Sequence, residues 1–512
     1  MFYGCSKLST LVYSDVTAAE LDTISYGKAE SPFEGCNITN IQFASQGSDG
    51  EIVIEYDSNG NFTAIYGDKA KTKLVKVAQN LTKFTVPASV TYIAPNAFSG
   101  NGKLTSVTFA DGSALTEIGA YAFSGTGLKS IKLPATVNKI GNGAFSYCLS
   151  LTSADLSEFK GNVIPAEAFY NSALQSISFS DSITSVGARA FMHTALKSLN
   201  ISGTNINTLG DSAFANCPYL KTVQLGAITS MGDGVFAIYS GYGSSVGAAL
   251  TSVTFGEGSV QLGTNTFSGQ YYLETLSLPE ALVSLETLGE GVFYGCASLE
   301  TVPFDALVYI GDYAFGGCAS LESVTLSNVK QIGVAAFAGC KSLSVSNLPA
   351  LETAGAQAFY GCEMVTSVTA PALTTLGDEA FVGSGLKSLS CPKLVTIGRY
   401  AFANTSLTGS EGALTIPETV VTIGEGAYSG LVNVTSFVIG ENDNYFTENG
   451  ILYQTVASGF QAIAFPAGAA GDIVIKDGTV RIGASAFENA SKVTSVSFPY
   501  ELKAIGDRAF YA

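Results

Sequence analysis

Phenylalanine recurs along this chain about every 22 residues, usually directly after an alanine. Clear copies are Ala314-Phe315, Ala336-Phe337, Ala358-Phe359 and Ala380-Phe381. A fixed period of roughly 20 to 29 residues is typical of solenoids, in which each short unit buries its apolar side chains only by stacking on its neighbours. The repeat therefore constrains the fold before any local pattern is considered. It predicts a protein in which a large share of the residues lie at the surface.

Each copy of the repeat has one such phenylalanine, which we call its anchor. The anchors are Phe2, Phe33, Phe98, Phe123, Phe145, Phe169, Phe191, Phe214, Phe236, Phe267, Phe293, Phe315, Phe337, Phe359, Phe381, Phe402, Phe487 and Phe510, and Tyr428 takes the same place once. Hydrophobic residues make up 46% of the chain, which is enough apolar material for a continuous core. We expect each anchor ring to lie over the ring of the preceding copy.

The copy that follows Phe315 shows how one unit is expected to fold. Val324 and Leu326 alternate with Ser323 and Thr325, which is the period of a short strand with one buried face. The segment that returns through Ala-Phe is too short for more than a turn of helix. Stacked units are therefore expected to form a β-rich solenoid with one continuous parallel sheet and little helix.

An Ile-Gly step comes shortly before many anchors, as at Ile310-Gly311 and Ile332-Gly333. The isoleucine is expected to be buried. We expect glycine beside it because glycine adopts positive φ without a steric penalty, which would allow the chain to turn there.

These features together resemble the leucine-rich repeat of the BspA-like type, also called the Treponema pallidum type. The pattern of that family, roughly LxxIxLPxxVxxIGxxAFxxC, is matched by nearly every copy from Val90 to Phe510. Departures are modest: Tyr428 replaces one anchor, and Val235, Thr266 and Val292 replace the alanine before others. The resemblance implies a right-handed leucine-rich-repeat superhelix with its strands on the concave side, where ligands of such proteins commonly dock.

The repeat runs to both ends of the chain, so we expect residues 1–512 to form a single solenoid. Two stretches break its rhythm, 44–86 and 437–478, and we predict an inserted hairpin-like unit in each. The first contains Ser58-Asn59-Gly60 between alternating runs, a hairpin-turn signal, and the second resembles a longer unit of the family. Because the chain starts and stops inside a copy, without capping units, we also expect a segment of a longer chain.

The charge of the chain excludes some classes of partner. Its formal net charge is −17, whereas nucleic-acid binding needs a basic surface that displaces counterions. Docking on an anionic membrane surface is disfavoured for the same reason. No run of 18 or more apolar residues exists, so we expect no membrane insertion.

Most cysteines lie at the third position after an anchor, namely Cys5, Cys36, Cys148, Cys217, Cys296, Cys318, Cys340 and Cys362. Other copies have Asn101, Thr126 or Ser172 at this position, so we interpret it as a tight inner corner that holds a small residue. Stacked copies would bring the sulfur atoms near disulfide reach, but free, buried thiols are the preferred interpretation. Cys391 is the exception to the spacing. No CxxC spacing supports a zinc site.

Catalytic and metal-binding residues are not indicated. His193 is the one histidine and would have to be the base of any serine or cysteine hydrolase, but it lies in a loop, where we expect no partners. The stretch from Asp57 to Asp68 resembles a calcium loop, but Phe62 occupies the place where such loops need glycine, so a hairpin turn is preferred. We therefore expect no enzyme, no metal and no cofactor.

The solvent face of the strands is the remaining candidate for binding. It is rich in hydroxyl groups, and its candidate residues are Ser130, Lys132, Ser153, Asp155, Ser198, Asn200, Thr222, Gln224, Ser323, Thr325, Ser367 and Thr369. A purely structural interpretation stays open, because Ser and Thr suit exposed parallel strands and binding hot spots are richer in Tyr, Trp and Arg. The uniformity of this face argues against a single small-molecule pocket.

The sequence favours a non-enzymatic recognition protein at the cell surface or in the secreted fraction. The resemblance implies adhesion, because relatives are found on gut and oral bacteria and on some parasitic protists, and some of them bind host matrix proteins. The expected partner is a host or extracellular-matrix protein. One alternative is a structural spacer that presents another domain, and a second is a surface glycan-binding protein, for which the absence of Trp is unfavourable.

Overall fold

The computed structural model describes residues 10–13, 40–43, 53–239, 249–258 and 261–511, the first two ranges as backbone only. The chain divides into two compact units. Unit 1 comprises Met1–Phe236 and Ser244–Gly247, and unit 2 comprises Ala237–Gly243 and Ala248–Ala512. Both units are built from coils of one kind, each coil being one copy of the repeat.

One row of strands lies where the alternating residues of each copy predicted a strand, and we call these the first-row strands. Numbered in chain order, they are β1 (Thr10–Tyr13), β2 (Asn40–Phe43), β6 (Lys83–Val86), β8 (Ser106–Phe109), β10 (Ser130–Lys132), β12 (Ser153–Asp155), β14 (Ser176–Ser178), β16 (Ser198–Asn200), β18 (Thr222–Gln224), β20 (Ser252–Thr254), β21 (Thr275–Ser277), β26 (Ser367–Thr369), β28 (Ser388–Ser390), β30 (Ala413–Ile416), β32 (Ser436–Ile439), β36 (Gly471–Val474) and β38 (Val493–Ser497). Neighbouring coils pair in parallel, as in the ladders β10-β12-β14 and β26-β28. The row consists of several short sheets, whereas the sequence predicted one continuous parallel sheet.

A second row of strands lies shortly before the anchors, at the Ile-Gly step or its equivalents such as Leu209-Gly210, which we call the aliphatic-glycine step. The sequence had indicated only a turn at this step. Most of these strands have two residues, and they are β7 (Tyr92–Ile93), β9 (Glu117–Ile118), β11 (Lys139–Ile140), β13 (Val163–Ile164), β15 (Ser185–Val186), β17 (Thr208–Leu209), β19 (Ser230–Met231), β22 (Thr287–Leu288), β23 (Tyr309–Ile310), β24 (Gln331–Ile332), β25 (Thr353–Ala354), β27 (Thr375–Leu376), β29 (Thr396–Ile397), β31 (Thr422–Ile423), β37 (Thr479–Ile482) and β39 (Ala504–Ile505). They also pair in parallel, and seven of them form the ladder from β22 to β31 in unit 2. Within each unit, many neighbouring coils are thus paired along two lines.

The anchor rings form a stacked column inside each unit. In unit 1 the ring centroids of Phe123 and Phe145 are 5.2 Å apart, and the rings are stacked nearly parallel, with an interplanar angle of 1°. In unit 2 the rings of Phe315 and Phe337 are 5.3 Å apart at 8°, and both side chains are fully buried. The predicted stacking of anchors is therefore confirmed for these coils, and it gives the core its one-ring-per-coil construction.

The segment around each anchor, from the second residue before it to the second residue after it, forms what we call the anchor wall. The amide of Phe315 donates to the carbonyl of Ala336 at 2.8 Å, and the amide of Phe337 donates to the carbonyl of Ala358 at 3.0 Å. These bonds run from coil to coil, parallel to the strand pairing. Where alanine precedes an anchor, it is buried in the same interior and leaves room for the ring.

Glycine is needed at the Ile-Gly step for a different reason from the expected one. None of the glycines at these steps, Gly119, Gly141, Gly311, Gly333, Gly398, Gly424, Gly483 and Gly506, has positive φ. A Cβ on Gly333 would instead lie 2.6 Å from the backbone nitrogen of Asp312 in the preceding coil. Glycine is needed there because two backbones approach closely, so the expectation of positive φ was wrong.

Antiparallel strands occur within the two stretches that interrupt the repeat. In the first, β3 (Val53–Tyr56), β4 (Phe62–Tyr66) and β5 (Lys73–Val77) are paired in this order, and in the second, β33 (Tyr445–Glu448), β34 (Ile451–Val456) and β35 (Gly459–Ala464) are paired. The carboxylate of Asp57 accepts hydrogen bonds from the amides of Asn59 and Asn61, both at 2.8 Å. A hairpin turn occupies the place of the calcium-loop motif.

The prediction of a β-rich solenoid with parallel stacked coils and little helix is confirmed. The helix of the described residues, α1 (Glu280–Val283), has only four residues. The prediction of one solenoid over residues 1–512, with insertions at 44–86 and 437–478, stays a prediction. Cys5, Cys36, Phe2 and Phe33 lie outside the described residues.

Candidate recognition surfaces

The predicted strand-face residues lie on the solvent side of the first-row strands. Pairs of them stand on β10 (Ser130, Lys132), β12 (Ser153, Asp155), β16 (Ser198, Asn200), β18 (Thr222, Gln224) and β26 (Ser367, Thr369). Their side chains are exposed or half-buried. Ser323 makes a single parallel bridge with Thr301, and Thr325 follows it outside any strand. We call the set of these residues the strand face.

In unit 1 the strand face forms a shallow depression over β10, β12 and β14. The ladder places Lys132 beside Asp155, with the ammonium nitrogen 3.4 Å from a carboxylate oxygen. Hydrogen bonds from the Ser157 hydroxyl and amide hold the pKa of Asp155 below its usual range, and Lys132 adds to the effect. Because the ion pair is exposed, it contributes little to stability and leaves both groups accessible to a partner.

Some hydroxyl groups of the first-row strands bond to each other across the sheet. The Ser388 hydroxyl donates to that of Ser367 at 2.8 Å, and the hydroxyls of Thr85 and Thr108 are 3.0 Å apart. Such pairs satisfy part of the hydrogen-bonding capacity of the face within the protein. The face can therefore form hydrogen bonds with a partner, but it holds no aromatic group for tight contacts at these positions.

The anchor wall of unit 1 carries a group of aromatic side chains that the sequence analysis missed. The rings of Tyr147 and Tyr170 meet edge to face at 5.4 Å, and those of Tyr170 and His193 meet edge to face at 5.7 Å. Tyr147 is 49% exposed. The amide nitrogen of the Asn216 side chain lies 3.4 Å from Nε2 of His193, so the expectation of a histidine without partners was wrong.

Charged groups complete this part of the wall. A guanidinium nitrogen of Arg189 lies 3.0 Å from a carboxylate oxygen of Glu167, and the Tyr121 hydroxyl donates to the other oxygen at 3.5 Å. Burial and the nearby Glu167 carboxylate raise the pKa of Tyr121, so the phenol stays protonated. We call Tyr121, Tyr147, Glu167, Tyr170, Arg189 and His193 together the aromatic wall cluster.

Backbone conformation explains why the side chains of this cluster, apart from that of Tyr170, point outward. The second residue before and the second after an anchor adopt the left-handed conformation, with φ of 54° at Tyr121, 58° at Glu167, 56° at Tyr147 and 60° at His193. The Tyr121 ring covers the next coil at Gly143, where a Cβ would lie 2.3 Å from a ring carbon. The signal for this surface was present as Tyr121, Tyr147, Arg189 and His193 at two fixed distances from their anchors, while Tyr170 directly follows its anchor.

The cysteines after the anchors serve the interior rather than a reactive site. The thiol of Cys318 donates to the carbonyl of Phe293 in the preceding coil at 3.1 Å, and the thiol of Cys340 donates to that of Phe315 at 3.1 Å. All described cysteines are free and buried. Burial raises the pKa of Cys217 to about 11 and that of Cys362 to about 12, so these thiols stay protonated.

The described residues contain neither a metal-binding cluster nor a membrane-spanning helix. Within residues 53–239, 249–258 and 261–511, no three or more His, Cys, Asp or Glu side chains come together in a way that could hold a metal ion. In the same part of the chain, no helix has the length and apolar character that crossing a membrane requires.

Comparison with protein families gives one match. A family model described as a BspA-type leucine-rich repeat region of six copies matches residues 75–161, 158–241, 245–363, 352–458 and 459–512. None of the curated proteins compared with the chain matches it. The family match confirms the resemblance that the anchors and the Ile-Gly steps indicated.

Solved structures of leucine-rich repeat proteins are also similar to this chain. A leucine-rich cell surface protein from Faecalibacterium prausnitzii is 23% identical, with a TM-score of 0.34 over 58% of this chain and 93% of its own. A leucine-rich repeat protein from Bacteroides ovatus is 18% identical, with a TM-score of 0.32 over 77% of this chain and 94% of its own. The leucine-rich repeat protein of T. pallidum is 20% identical, with a TM-score of 0.27 over 48% of this chain and 87% of its own.

Proposed function

Because the chain belongs to the family of BspA-type leucine-rich repeat proteins, we propose that it is a non-enzymatic recognition protein that binds a protein partner through the outer surface of its coils. Solenoids of stacked repeats offer extended surfaces for such contacts. The observation that carries the proposal is the aromatic wall cluster, in which three tyrosines and a histidine share the anchor wall with the Arg189–Glu167 ion pair.

The composition of this cluster suits a protein partner. Tyr and Arg are enriched among the residues that dominate binding energy at protein interfaces. The rings of Tyr147, Tyr170 and His193 meet edge to face, at 73° and 87°, so they do not offer a row of coplanar ring faces for stacking on sugars. The cluster therefore favours a protein over a glycan as the partner.

The strand face is proposed as a second contact surface. Its exposed hydroxyl and amide groups suit the polar rim of an interface, where hydrogen bonds align the partners and hot-spot residues lie elsewhere. We also propose that the protein acts at the cell surface or in the secreted fraction, facing host or extracellular-matrix proteins. The support is what the family resemblance implies together with the net charge of −17, which disfavours nucleic acids and anionic membranes.

Binding of the purified chain to a panel of extracellular-matrix proteins tests the proposal. The double variant Tyr147→Ser/Tyr170→Ser is expected to lose affinity at least about 30-fold, which is the effect of losing a single hot-spot residue worth roughly 2 kcal/mol. The matched control is Tyr219→Ser, which removes a 60% exposed tyrosine from another part of unit 1 and should bind like the unchanged chain. A third variant, Ser153→Arg, places a long side chain on the strand face and should weaken binding only if that face contributes.

The same experiment separates the other functions. If the chain binds none of the matrix proteins in the panel, the result would favour the alternative of a structural spacer that presents another domain. Binding on a glycan array that survives the tyrosine substitutions, without any binding to matrix proteins, would favour the glycan-binding alternative and contradict the proposal.

A further inference from the structure

Three departures from the repeat meet at one place in unit 2. Residues Gly409–Gly412 form an excursion, closed by a hydrogen bond from the amide of Gly412 to the carbonyl of Gly409, before β30 begins. Tyr428 occupies a position that is phenylalanine in the neighbouring coils. Cys391 is the described cysteine that does not follow an anchor. Independent departures that converge on one point suggest a local purpose different from that of the repeat.

A cavity lies between two coils, beside the strand that follows the excursion. β28 and β30 belong to successive coils, but they are not paired with each other, since β28 pairs with β26 and β30 with β32. The space beside them is a cavity of about 430 Å³. Its apolar lining comprises Leu389, Leu394, Phe402, Leu407, Leu414 and Ile416. It opens toward solvent beside the exposed residues Ser390, Thr415 and Glu418. We call this space the β28–β30 cavity.

Tyr428 lines this cavity, and its hydroxyl makes no hydrogen bond with the described residues. The other buried tyrosines are all satisfied: Tyr66 donates to Glu55, Tyr445 donates to the Val421 carbonyl, and Tyr453 accepts from the Lys476 amide. The Tyr428 side chain is only 4% exposed, but its hydroxyl oxygen is not fully enclosed by protein atoms. We therefore infer that the hydroxyl faces the cavity that Tyr428 lines. A phenylalanine would fill the column without leaving such a donor.

The thiol of Cys391 lines the cavity as well. It is 7% exposed, and it makes no hydrogen bond in the described structure, unlike the thiols of Cys318 and Cys340, which bond to anchor carbonyls. Burial raises its pKa to about 12, so this sulfur is neutral. A neutral thiol is a soft, polarisable wall that suits an apolar or aromatic group.

We propose that the β28–β30 cavity binds a small, uncharged, mainly apolar molecule whose hydrogen-bond acceptor receives the proton of the Tyr428 hydroxyl. Apolar lining with one directed polar group is the usual composition of a small-molecule site. An apolar cavity of ~150 Å³ already takes benzene, so this larger one has room for a two-ring molecule. The Glu418 carboxylate at the opening and the net charge of −17 disfavour an anion such as a fatty acid.

This site is independent of the proposed recognition of proteins, because it lies in unit 2 and shares no residue with the aromatic wall cluster. It also differs from the expectation of a uniform face without a small-molecule pocket. That expectation followed from the regular coils, and the cavity lies where the regularity is broken.

Titration with Prodan, a neutral naphthalene that carries a ketone and changes its fluorescence in apolar surroundings, tests the proposal on the whole chain. We expect saturable binding of one molecule per chain. Tyr428→Phe, which restores the residue of the repeat, should weaken Prodan binding about 3- to 10-fold through loss of one hydrogen bond. The same variant should change the affinity for naphthalene, which competes for the site but has no acceptor, by less than about twofold.

A second pair of variants tests the location. Leu414→Trp fills the cavity from a half-buried position and should abolish Prodan binding, while Val421→Trp, at a 56% exposed residue that does not line the cavity, should leave it unchanged. Thermal unfolding confirms that each variant is folded. Absence of saturable binding, equal affinity for Prodan in Tyr428→Phe, or full binding in Leu414→Trp would each overturn the proposal. Loss of matrix-protein binding in Leu414→Trp with Prodan binding retained would instead assign the cavity to a partner's side chain, and would overturn it too.

Discussion

Two positions on the anchor wall, the second before and the second after each anchor, hold the left-handed conformation from coil to coil. Many are occupied by residues other than glycine, such as Arg189 with φ of 54° and His193 with φ of 60°. For a residue other than glycine, adopting this conformation costs about 1 to 2 kcal/mol of free energy relative to the right-handed one. The hydrogen bonds between coils hold the backbone in place, since the amide of Arg189 donates to the carbonyl of Asp211 at 2.8 Å and that of His193 to the carbonyl of Ala215 at 3.0 Å. The strain places side chains on the surface that we propose for recognition.

Glycine is required at the aliphatic-glycine step because the gap between neighbouring coils has no space for a side chain. A Cβ on Gly210 would lie 2.6 Å from the backbone nitrogen of Ala188, whereas a Cβ on Gly203, in the same unit, would meet nothing within 4 Å. We predict that Gly210→Ala lowers the free energy of unfolding by about 2 kcal/mol or more, because backbone on both sides must shift. Gly203→Ala should leave it unchanged or raise it by up to about 1 kcal/mol. Urea unfolding measures both, and equal stabilities would contradict this account of the step.

At the scale of the elements, the inserted strands β33, β34 and β35 leave the anchor wall of unit 2 continuous. The Tyr400 hydroxyl lies 3.3 Å from that of Ser485, although 85 residues separate the two in sequence. The Ser429 hydroxyl donates to the carboxylate of Glu488 at 2.7 Å, across a separation of 59 residues. The coils before and after the insertion therefore contact each other directly, and the insertion leaves the wall at one coil and returns at the next.

The buried Glu488 carboxylate is the main polar link between these coils. It also pairs with Arg508, whose guanidinium nitrogen lies 2.6 Å from the other oxygen. Burial alone would raise the pKa of Glu488, but hydrogen bonds from Ser429, Ser485 and Arg508 outweigh it and hold the pKa below the usual range. A carboxyl whose pKa is lowered by folding stabilises the folded state above its unfolded pKa of about 4.3, and this contribution is lost as the pH falls through the folded value.

We predict that Glu488→Gln lowers the free energy of unfolding at neutral pH by about 1 to 3 kcal/mol, because a charge-assisted link is lost in a buried place. The difference between the variant and the unchanged chain should shrink as the pH is lowered below about 4. The control is Glu300→Gln, at an exposed glutamate of the same unit, which should follow the unchanged chain at every pH. Urea unfolding across this pH range gives the comparison, and a constant difference down to the lowest pH would contradict the assigned role.

At the scale of the whole molecule, each coil is stabilised by the coils directly beside it. The ring of Phe337 stacks on those of Phe315 and Phe359, at 5.3 Å and 5.7 Å. Stability in such a chain is approximately a sum of terms for single coils and terms for neighbouring pairs. Recurrent residues therefore carry the fold, and residues that depart from the repeat are free to carry function.

This division of roles between recurrent residues and residues that depart from the repeat explains how much of the structure could be predicted from the sequence. The anchors, the first-row strands and the inner cysteines were predictable, because every coil repeats the same burial requirement. The second row was not, since two residues are too few to show a strand period. The aromatic wall cluster was not either, because the contact between Tyr121 and Gly143 and the bond from Tyr121 to Glu167 depend on which coils are neighbours. The β28–β30 cavity needed the three-dimensional position of an excursion that in sequence is only a longer copy.

Hydrogen exchange at the anchor amides tests the stacked arrangement most directly. In unit 2 the amides of Phe315, Phe337, Phe359 and Phe381 each donate to a carbonyl of the following coil, at distances between 2.8 and 3.0 Å. Mass spectrometry with residue-resolved fragmentation should show them exchanging at least about a thousandfold more slowly than the exposed turn amide of Ser58. Exchange of these four amides at the rate of Ser58 would contradict the stacking of coils on which the account depends.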